Sequence, residues 1–297
     1  MHLAQATHPA TSVGTETNHQ QGNDMVQAST SKAATRWLHA AQGYVAQIAE
    51  TQSDHIDAAA ELFADTIAAD RLVHVFGSGH SRMNTEEMFP RIGSFPGFHP
   101  IAELALTNHV GVVGPNGLRQ VLFLERVEGF GRTILEQIKL HKGDAFLTFS
   151  STGINGVVIE VALLAKEMGM PVVAVTSVDH GNATTSRHSS GKRLMDIADI
   201  VIDNCTPAGD AITEIDGLEH RVGPSSSIGS IAVVNALKVA TAEKLVARGV
   251  EPVVLASPHF TGAQQGEAQL ERVYEEYFRR VGQVYDPRDA LVVPKAK

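Results

Sequence analysis

Residues 144–177 read DAFLTFSSTGINGVVIEVALLAKEMGMPVVAVTS, and this stretch decides the fold. Asp144 to Phe149 is short, apolar and rich in β-formers. Ser150, Ser151, Thr152, Gly153 and Asn155 then crowd into six positions. From Val157 to Met168 the apolar spacing becomes helical, and Gly169-Met170-Pro171 stops it ahead of Val172-Val173-Ala174-Val175. Two continuous apolar runs flanking one amphipathic helix make a βαβ unit, so the sheet is parallel and covered on both faces. A polar turn at the carboxyl end of such a strand offers backbone N–H groups and the positive end of a helix dipole to an anion. Capping alone would need one of these hydroxyls, whereas three hydroxyls, a Gly and an Asn exceed that need. The turn therefore reads as an anion site, with simple capping as the alternative.

The same pattern occurs earlier. Arg71 to Phe76 is a strand, Gly77-Ser78-Gly79-His80-Ser81 a small-residue and hydroxyl turn, and Glu86-Glu87-Met88-Phe89 continues a helix that Pro90 and Gly93 close. A dinucleotide fingerprint would need a third Gly where Arg82 stands, and no Walker-type loop occurs. Phe95 to Val113 is punctuated by Gly and Pro and holds His99, Glu103 and His109. Leu122 to Arg132 leads into a helix ending near His141. Ser186 to Leu194 is a basic, hydroxyl-rich loop, and Ile200 to Asp203 a further strand. A long apolar helix is expected from Ile228 to about Ala247, capped by Pro224 to Ser227. Pro258 to Gly266 reads as a loop and Glu267 to Val281 as a last helix.

Around this unit, residues 1–33 read as a disordered leader rich in Thr, Ser, Gln, Asn and His. Two helices follow, one carrying Trp37, Tyr44, Val45 and Ile48, the other Ile56, Ala60, Phe63 and Ile67. Residues 34–285 are expected to form one α/β domain with helical extensions at both ends, and 286–297 an extended tail that packs on a neighbour or frays. With 297 residues the chain can bury a sizeable core. A net charge of −9 argues against a nucleic-acid surface. The single Cys205 excludes an internal disulfide framework, and with no signal-like start it points to the cytoplasm. No apolar run reaches membrane-spanning length. The fourteen His are scattered without metal-ligand spacing, so no metal and no cofactor is expected.

Two strand–Ser-turn–helix units in tandem, the second close to S-x-S-G-x-T, resemble the SIS (sugar isomerase) family of phosphosugar isomerases and binding domains. Longer strings resemble one branch of that family without a settled substrate: GxGHSxMxxEEMFxRxG (Gly77 to Gly93), LERVEGFG (Leu124 to Gly131), the S-x-T-G-x-N turn, and SRHSSGKRL followed by DIADIVIDN. The resemblance covers essentially all of the chain after the leader. It implies a three-layer αβα sandwich, flavodoxin-like, with about five parallel strands. It also implies a sugar phosphate held by Ser150, Thr152 and Asn155, with Ser81 at the Ser position of the first turn. Thr152 replaces Ser and keeps the hydroxyl. Asn155 replaces Thr and offers an amide, which leaves phosphate, sulfonate and carboxylate all open. Ser78, His80, Ser151, Arg187 and Lys192 complete the expected binding set.

An aldose–ketose isomerase moves a proton between adjacent carbons and needs a base near C1 and C2 with a second acid for the oxygens. Family enzymes use a Glu on the helix after the first turn, so Glu87 is the first candidate base, with Glu86 beside it. Only one of the two can face the cleft, because consecutive helix residues lie about 100° apart. A salt bridge from Glu87 to Arg82 or Arg91 is the competing structural role. His188 is the candidate second group, with His80 next. Its competing role is to cap a loop while Arg187 and Lys192 serve the anion. Glu125 is a further candidate base or else a charge at a helix start. Asn235 stands roughly where phosphoheptose isomerases carry a catalytic His. A lyase or etherase, an aminosugar deaminase and a non-catalytic sugar-phosphate sensor are the other readings the fold allows. The resemblance implies a homodimer or homotetramer with shared active sites.

Overall fold

The computed structural model describes residues 32–107, 117–257, 259 and 262–295. The leader before Lys32, His109 with its neighbours, most of 258–261 and the last two residues lie outside them. Two helices open the chain, α1 (Lys32–Thr51) and α2 (Ser53–Ala68). They lead to β1 (Val73–Gly77), a 3₁₀ turn at Gly79–Ser81, and the short α3 (Arg82–Glu87). Next come β2 (Phe98–Ile101), α4 (Gly117–Leu124), α5 (Phe130–Glu136) and β3 (Ala145–Phe149). The quoted unit continues as α6 (Gly156–Glu167) and β4 (Val172–Thr176), followed by the short α7 (Val178–Asn182) and β5 (Ile200–Asp203). A two-stranded antiparallel pair, β6 (Ala211–Thr213) and β7 (Val222–Pro224), precedes α8 (Ser226–Ala247). The chain closes with α9 (Ala263–Val281).

Five strands form one parallel sheet in the order β2-β1-β3-β4-β5. The expected three-layer αβα arrangement follows, because each strand is apolar on both faces. Alternation along β1, β3 and β4 sends Val73, Val75, Ala145, Leu147, Phe149, Val173 and Val175 to one face, against Phe63 of α2 and Val233, Val234 and Leu237 of α8. Phe76, Phe146, Val172 and Ala174 face the other way, onto Ile134 and Leu135 of α5 and Val157, Val158 and Val161 of α6. Each Val, Leu, Ile or Phe among these contributes about 1.5–3 kcal/mol by leaving water. No helix among the described residues is long and apolar enough to cross a membrane.

Three local expectations change. β2 lies inside the punctuated stretch after Phe95, where no strand was expected. Only its pairing with β1, Val73 to Phe98 through Phe76 to Ile101, makes it one. The tail does not need a neighbour: Leu291 donates its N–H to the Leu140 carbonyl at 2.7 Å, and Leu291 and Val293 pack on the α5–α6 core. The serines before α8 do not cap it. Asp210 does, its Oδ1 accepting the Ser225 and Ser226 N–H groups at 2.9 and 2.7 Å.

A buried polar chain ties the amino ends of the central strands. Asp144, preceding β3, accepts N–H groups from Leu72 at 3.1 Å and His141 at 2.7 Å, and its Oδ2 lies 3.1 Å from His74 Nε2. His74 Nδ1 lies 2.9 Å from His99 Nδ1, joining β1 to β2. Burial, then the charge of His74, depresses His99 to about 3. Burial pushes Asp144 up, but the bond and charge of His74 together with the N–H groups of His141 and Leu72 hold it below its usual range. Both shifts have one sign. The stability from His99 is fully present above its unfolded pKa of about 6.5 and is lost as pH falls toward 3. That from Asp144 is lost only below about 3.9. Thermal unfolding followed from pH 7.5 to 4 therefore shows a falling melting temperature that begins near pH 6.5, and His99→Asn flattens that slope. Asp144→Ala lowers stability by about 3–5 kcal/mol, read by urea unfolding, because it strands two N–H groups and a buried imidazole.

Candidate active site

The strand order reverses between β1 and β3. The chain leaves β1 toward α3, on the face of α2 and α8, and leaves β3 toward α6, on the opposite face. Ligands of open α/β sheets bind in the crevice that such divergence leaves at the carboxyl ends. Both hydroxyl-rich turns read from the sequence open onto this one place, because β1 and β3 are hydrogen-bonded neighbours.

Between them stands Glu125, directly after α4 and 7% exposed. Its carbonyl accepts the Val157 N–H at 3.1 Å, fastening it to the first turn of α6. Its carboxylate joins the two turns: Oε1 accepts the Ser78 hydroxyl at 2.6 Å, and Oε2 accepts the Asn155 amide Nδ2 at 3.0 Å. Asn155 in turn accepts Arg187 Nη1 on its Oδ1 at 3.1 Å. The backbone makes room for this contact. Gly79 has φ +55°, and a Cβ there would sit 3.1 Å from Glu125 Oε1. Gly156 lets the Arg126 carbonyl approach to 3.3 Å of where its Cβ would be.

Burial pushes the Glu125 carboxyl above its ordinary value, while the Ser78 bond and the charges of Arg187, Arg126 and His80 pull it back down. The net direction is upward, because burial is the largest of these influences. Sequence reading placed Glu125 at a helix start. It stands instead just past the end of α4, so a favourable N-terminal dipole does not account for it. The LERVEGFG string was the available signal.

The second turn does not use its side chains as a simple cap. Ser150 Oγ is turned inward, accepting the Gly153 N–H at 3.1 Å. Ser151 Oγ is buried and has no partner among the described residues. Asn155 sits at the N-cap of α6 with φ −78° and ψ 143° yet makes no cap bond. The first N–H groups of a twelve-residue helix thus lack a side-chain acceptor. Thr152 is half-buried on the same turn.

Of the remaining expected residues, His80 is exposed and Ser81 half-buried on the first turn. Arg187 is exposed, and its N–H is anchored to the Ile154 carbonyl at 2.9 Å. His188 is held within its own loop, Nδ1 lying 2.9 Å from Ser190 Oγ and Nε2 3.7 Å from Glu128. Glu128 also takes the Ser189 N–H and hydroxyl at 2.6 Å each, so the LERVEGFG segment pins the basic loop over the site. Lys192 is exposed in that loop.

Glu87 and Glu86 are not brought to the turns. Glu87 is bonded to Arg91 at 2.7 Å and to the buried Lys238 at 3.2 Å; burial pushes its carboxyl up, but these bonds and the two positive charges together hold it below the usual carboxylate range. Glu86 pairs with Arg82. The physical reason lies in helix phase: α3 packs toward α8, so position 87 meets Lys238 on that helix. Asn235 is exposed and bonded to its own helix.

An open parallel sheet with its crevice at the β1–β3 switch point and two hydroxyl turns defines the class as an α/β protein of the SIS type, and a family model described as an SIS domain matches residues 36–177. The UPF0309 protein of Caldanaerobacter subterraneus subsp. tengcongensis is 34% identical over 240 residues, which cover 80% of this chain and 95% of that one. The UPF0309 protein of Thermoanaerobacter pseudethanolicus is 36% identical over 241 residues, 80% of this chain and 94% of that one. The chain belongs to this family of SIS-domain proteins. Among solved structures, a phosphoheptose isomerase from Francisella tularensis is similar at 14% identity and a TM-score of 0.46, covering 72% of this chain and all of that one.

Ser78→Ala removes a hydrogen bond that favours the ionised form of Glu125. A charge-assisted bond is worth about 1.5–3 kcal/mol, so the Glu125 titration moves upward by about one pH unit or more, followed by carboxyl ¹³C NMR with Glu125→Gln assigning the signal.

Proposed function

We propose that this protein binds an anionic sugar, a sugar phosphate first among them, and interconverts its aldose and ketose forms with Glu125 as the proton-transferring base. The observation that carries the reading is the buried carboxylate held by Ser78 from one turn and Asn155 from the other. A base placed between an anion cradle and the crevice mouth meets the reacting carbons of a sugar whose phosphate lies on the Ser150–Asn155 turn.

In this scheme the open-chain aldose presents C2–H to Glu125. The carboxylate takes that proton, electron density moves into a C1–C2 double bond, and an enediolate forms. The same carboxyl returns the proton to C1, and the O2 hydroxyl proton passes to O1, giving the ketose. His80, whose charge acts on Glu125, and His188, on the Arg187 loop, are the residues proposed to carry the oxygen proton. Ser151 donates its unpartnered hydroxyl to the anion. The role first given to Glu87 passes to Glu125 here, because Glu87 is engaged by Lys238 and Arg91. Assembly of copies into a homodimer or homotetramer is part of the proposal. Leu38 on α1 and Val239 and Val246 on α8 support it by exposing apolar side chains, Val239 to 72%.

Two measurements test the reading. A thermal-shift panel of sugar phosphates, sulfonates and sugar acids selects a ligand whose stabilisation is reduced in Ser151→Ala. Deuterium incorporation at C2 of that ligand, read by NMR, then falls about 10²–10⁴-fold in Glu125→Gln with thermal stabilisation retained, and persists in Glu87→Gln. Undiminished exchange in Glu125→Gln overturns the assignment of the base. Stabilisation by a sugar phosphate with no exchange in the unaltered protein leaves a sugar-phosphate sensor.

A further inference from the structure

Asn155 occupies a helix-cap position and declines to cap. Its side chain instead spends its two ends on different partners, Oδ1 on Arg187 at 3.1 Å and Nδ2 on Glu125 at 3.0 Å. A serine or threonine hydroxyl is too short and has a single oxygen, so it could not serve both partners at this separation. Arg187 is exposed, and Asn155 is the one partner of its guanidinium among the described residues. Its other N–H groups are open to an arriving anion.

We propose that Asn155 is a positioning residue that couples capture of the substrate's anion at Arg187 to how tightly Glu125 holds its proton. The proposal rests on Glu125 as the base. While the site is empty, Arg187 pulls on the amide oxygen and polarises it, which makes Nδ2 a better donor to the carboxylate and favours the ionised form. The positive charge of Arg187 acts in the same direction through space. An anion on the guanidinium cancels that charge and draws it from Oδ1. Donation from Nδ2 weakens, and Glu125 becomes the stronger base once the substrate is seated.

The other groups facing Glu125 do not share this arrangement. Ser78 donates from the first turn, and His80 and Arg126 act by charge alone. None of them bonds to Asn155, so their influence persists when that residue is changed. Glu128, nearby in sequence, is engaged by Ser189.

The test uses the full chain and inorganic phosphate as the probe. Carboxyl ¹³C NMR follows the Glu125 titration with and without saturating phosphate, and thermal shift reports phosphate binding independently. In the unaltered protein phosphate moves the Glu125 midpoint upward by about one pH unit, the scale expected when one nearby charge is neutralised. In Asn155→Thr phosphate still raises the melting temperature, but the midpoint moves by less than in the unaltered protein, the remainder being the through-space charge of Arg187. Arg187→Ala changes an exposed side chain and so spares the fold. Its midpoint starts higher and responds less to phosphate. Asn155→Gln, which keeps both amide ends, partly restores the coupling, as a merely structural role would not. With substrate, the acid limb of the kcat/KM profile, set by the unliganded protein, moves up in Arg187→Ala.

A phosphate-induced shift of equal size in Asn155→Thr overturns the coupling, as does a thermal response to phosphate with no Glu125 shift in the unaltered protein. If the shift behaves as expected while Glu125→Gln retains C2 exchange, the coupling stands and the assignment of the base fails. The two ideas therefore fail separately.

Discussion

One carboxylate holds the crevice together. β1 and β3 lie side by side, but their following helices cover opposite faces, so the two turns at their carboxyl ends diverge. Glu125 spans that divergence, with Ser78 on one oxygen and Asn155 on the other. A carboxylate so deeply buried costs several kcal/mol unless hydrogen-bonded. The two donors meet that cost only in part, and the residue is a raised proton affinity. The contact that closes the site is thus also the contact that tunes it.

The opposite end of the same strands carries the contrasting arrangement. Asp144 is buried too, but it receives two backbone N–H groups and an imidazole and remains firmly ionised. Two buried carboxyls flank one sheet, and the donors each receives push them apart. The Asp144–His74–His99 chain fixes the amino ends of three adjacent strands, β3, β1 and β2. A stiff sheet end of this kind holds the register on which the alignment of the two turns depends. The site end is left with a Ser151 hydroxyl that has no partner among the described residues and a helix start that its N-cap side chain does not cap, features that weaken a fold unless a ligand completes them.

The basic loop from Ser186 to Leu194 shows how segments remote in sequence become one surface. Glu128 grips Ser189, the Ile154 carbonyl grips Arg187, and the Gly153 carbonyl takes the Leu194 N–H at 2.7 Å. These bonds carry Arg187 to Asn155, while His188 stays with Ser190 and Glu128. Two adjacent residues of one string thereby take different directions.

Much of the architecture is written locally. Continuous apolar runs flanking an amphipathic helix require a covered parallel sheet whatever the rest of the chain does, and the hydroxyl turns at Ser78 and Ser150 mark the strand ends where a ligand can bind. Those features depend on periodicity and turn chemistry, which neighbours in sequence determine. β2 escaped such reading because Phe98–Ile101 is made a strand only by pairing with β1. The choice among Glu86, Glu87 and Glu125 escaped it for a related reason. All three are charged residues beside a helix, and nothing local says which meets a buried lysine and which meets two turns. Lys238 lies 151 residues from Glu87, and Glu125 lies 47 from Ser78 and 30 from Asn155. By itself the sequence determined a covered parallel sheet and the two hydroxyl-rich turns that border its crevice. Tertiary packing decided which carboxylate stands in it, because burial and partnership are properties of contacts made far along the chain.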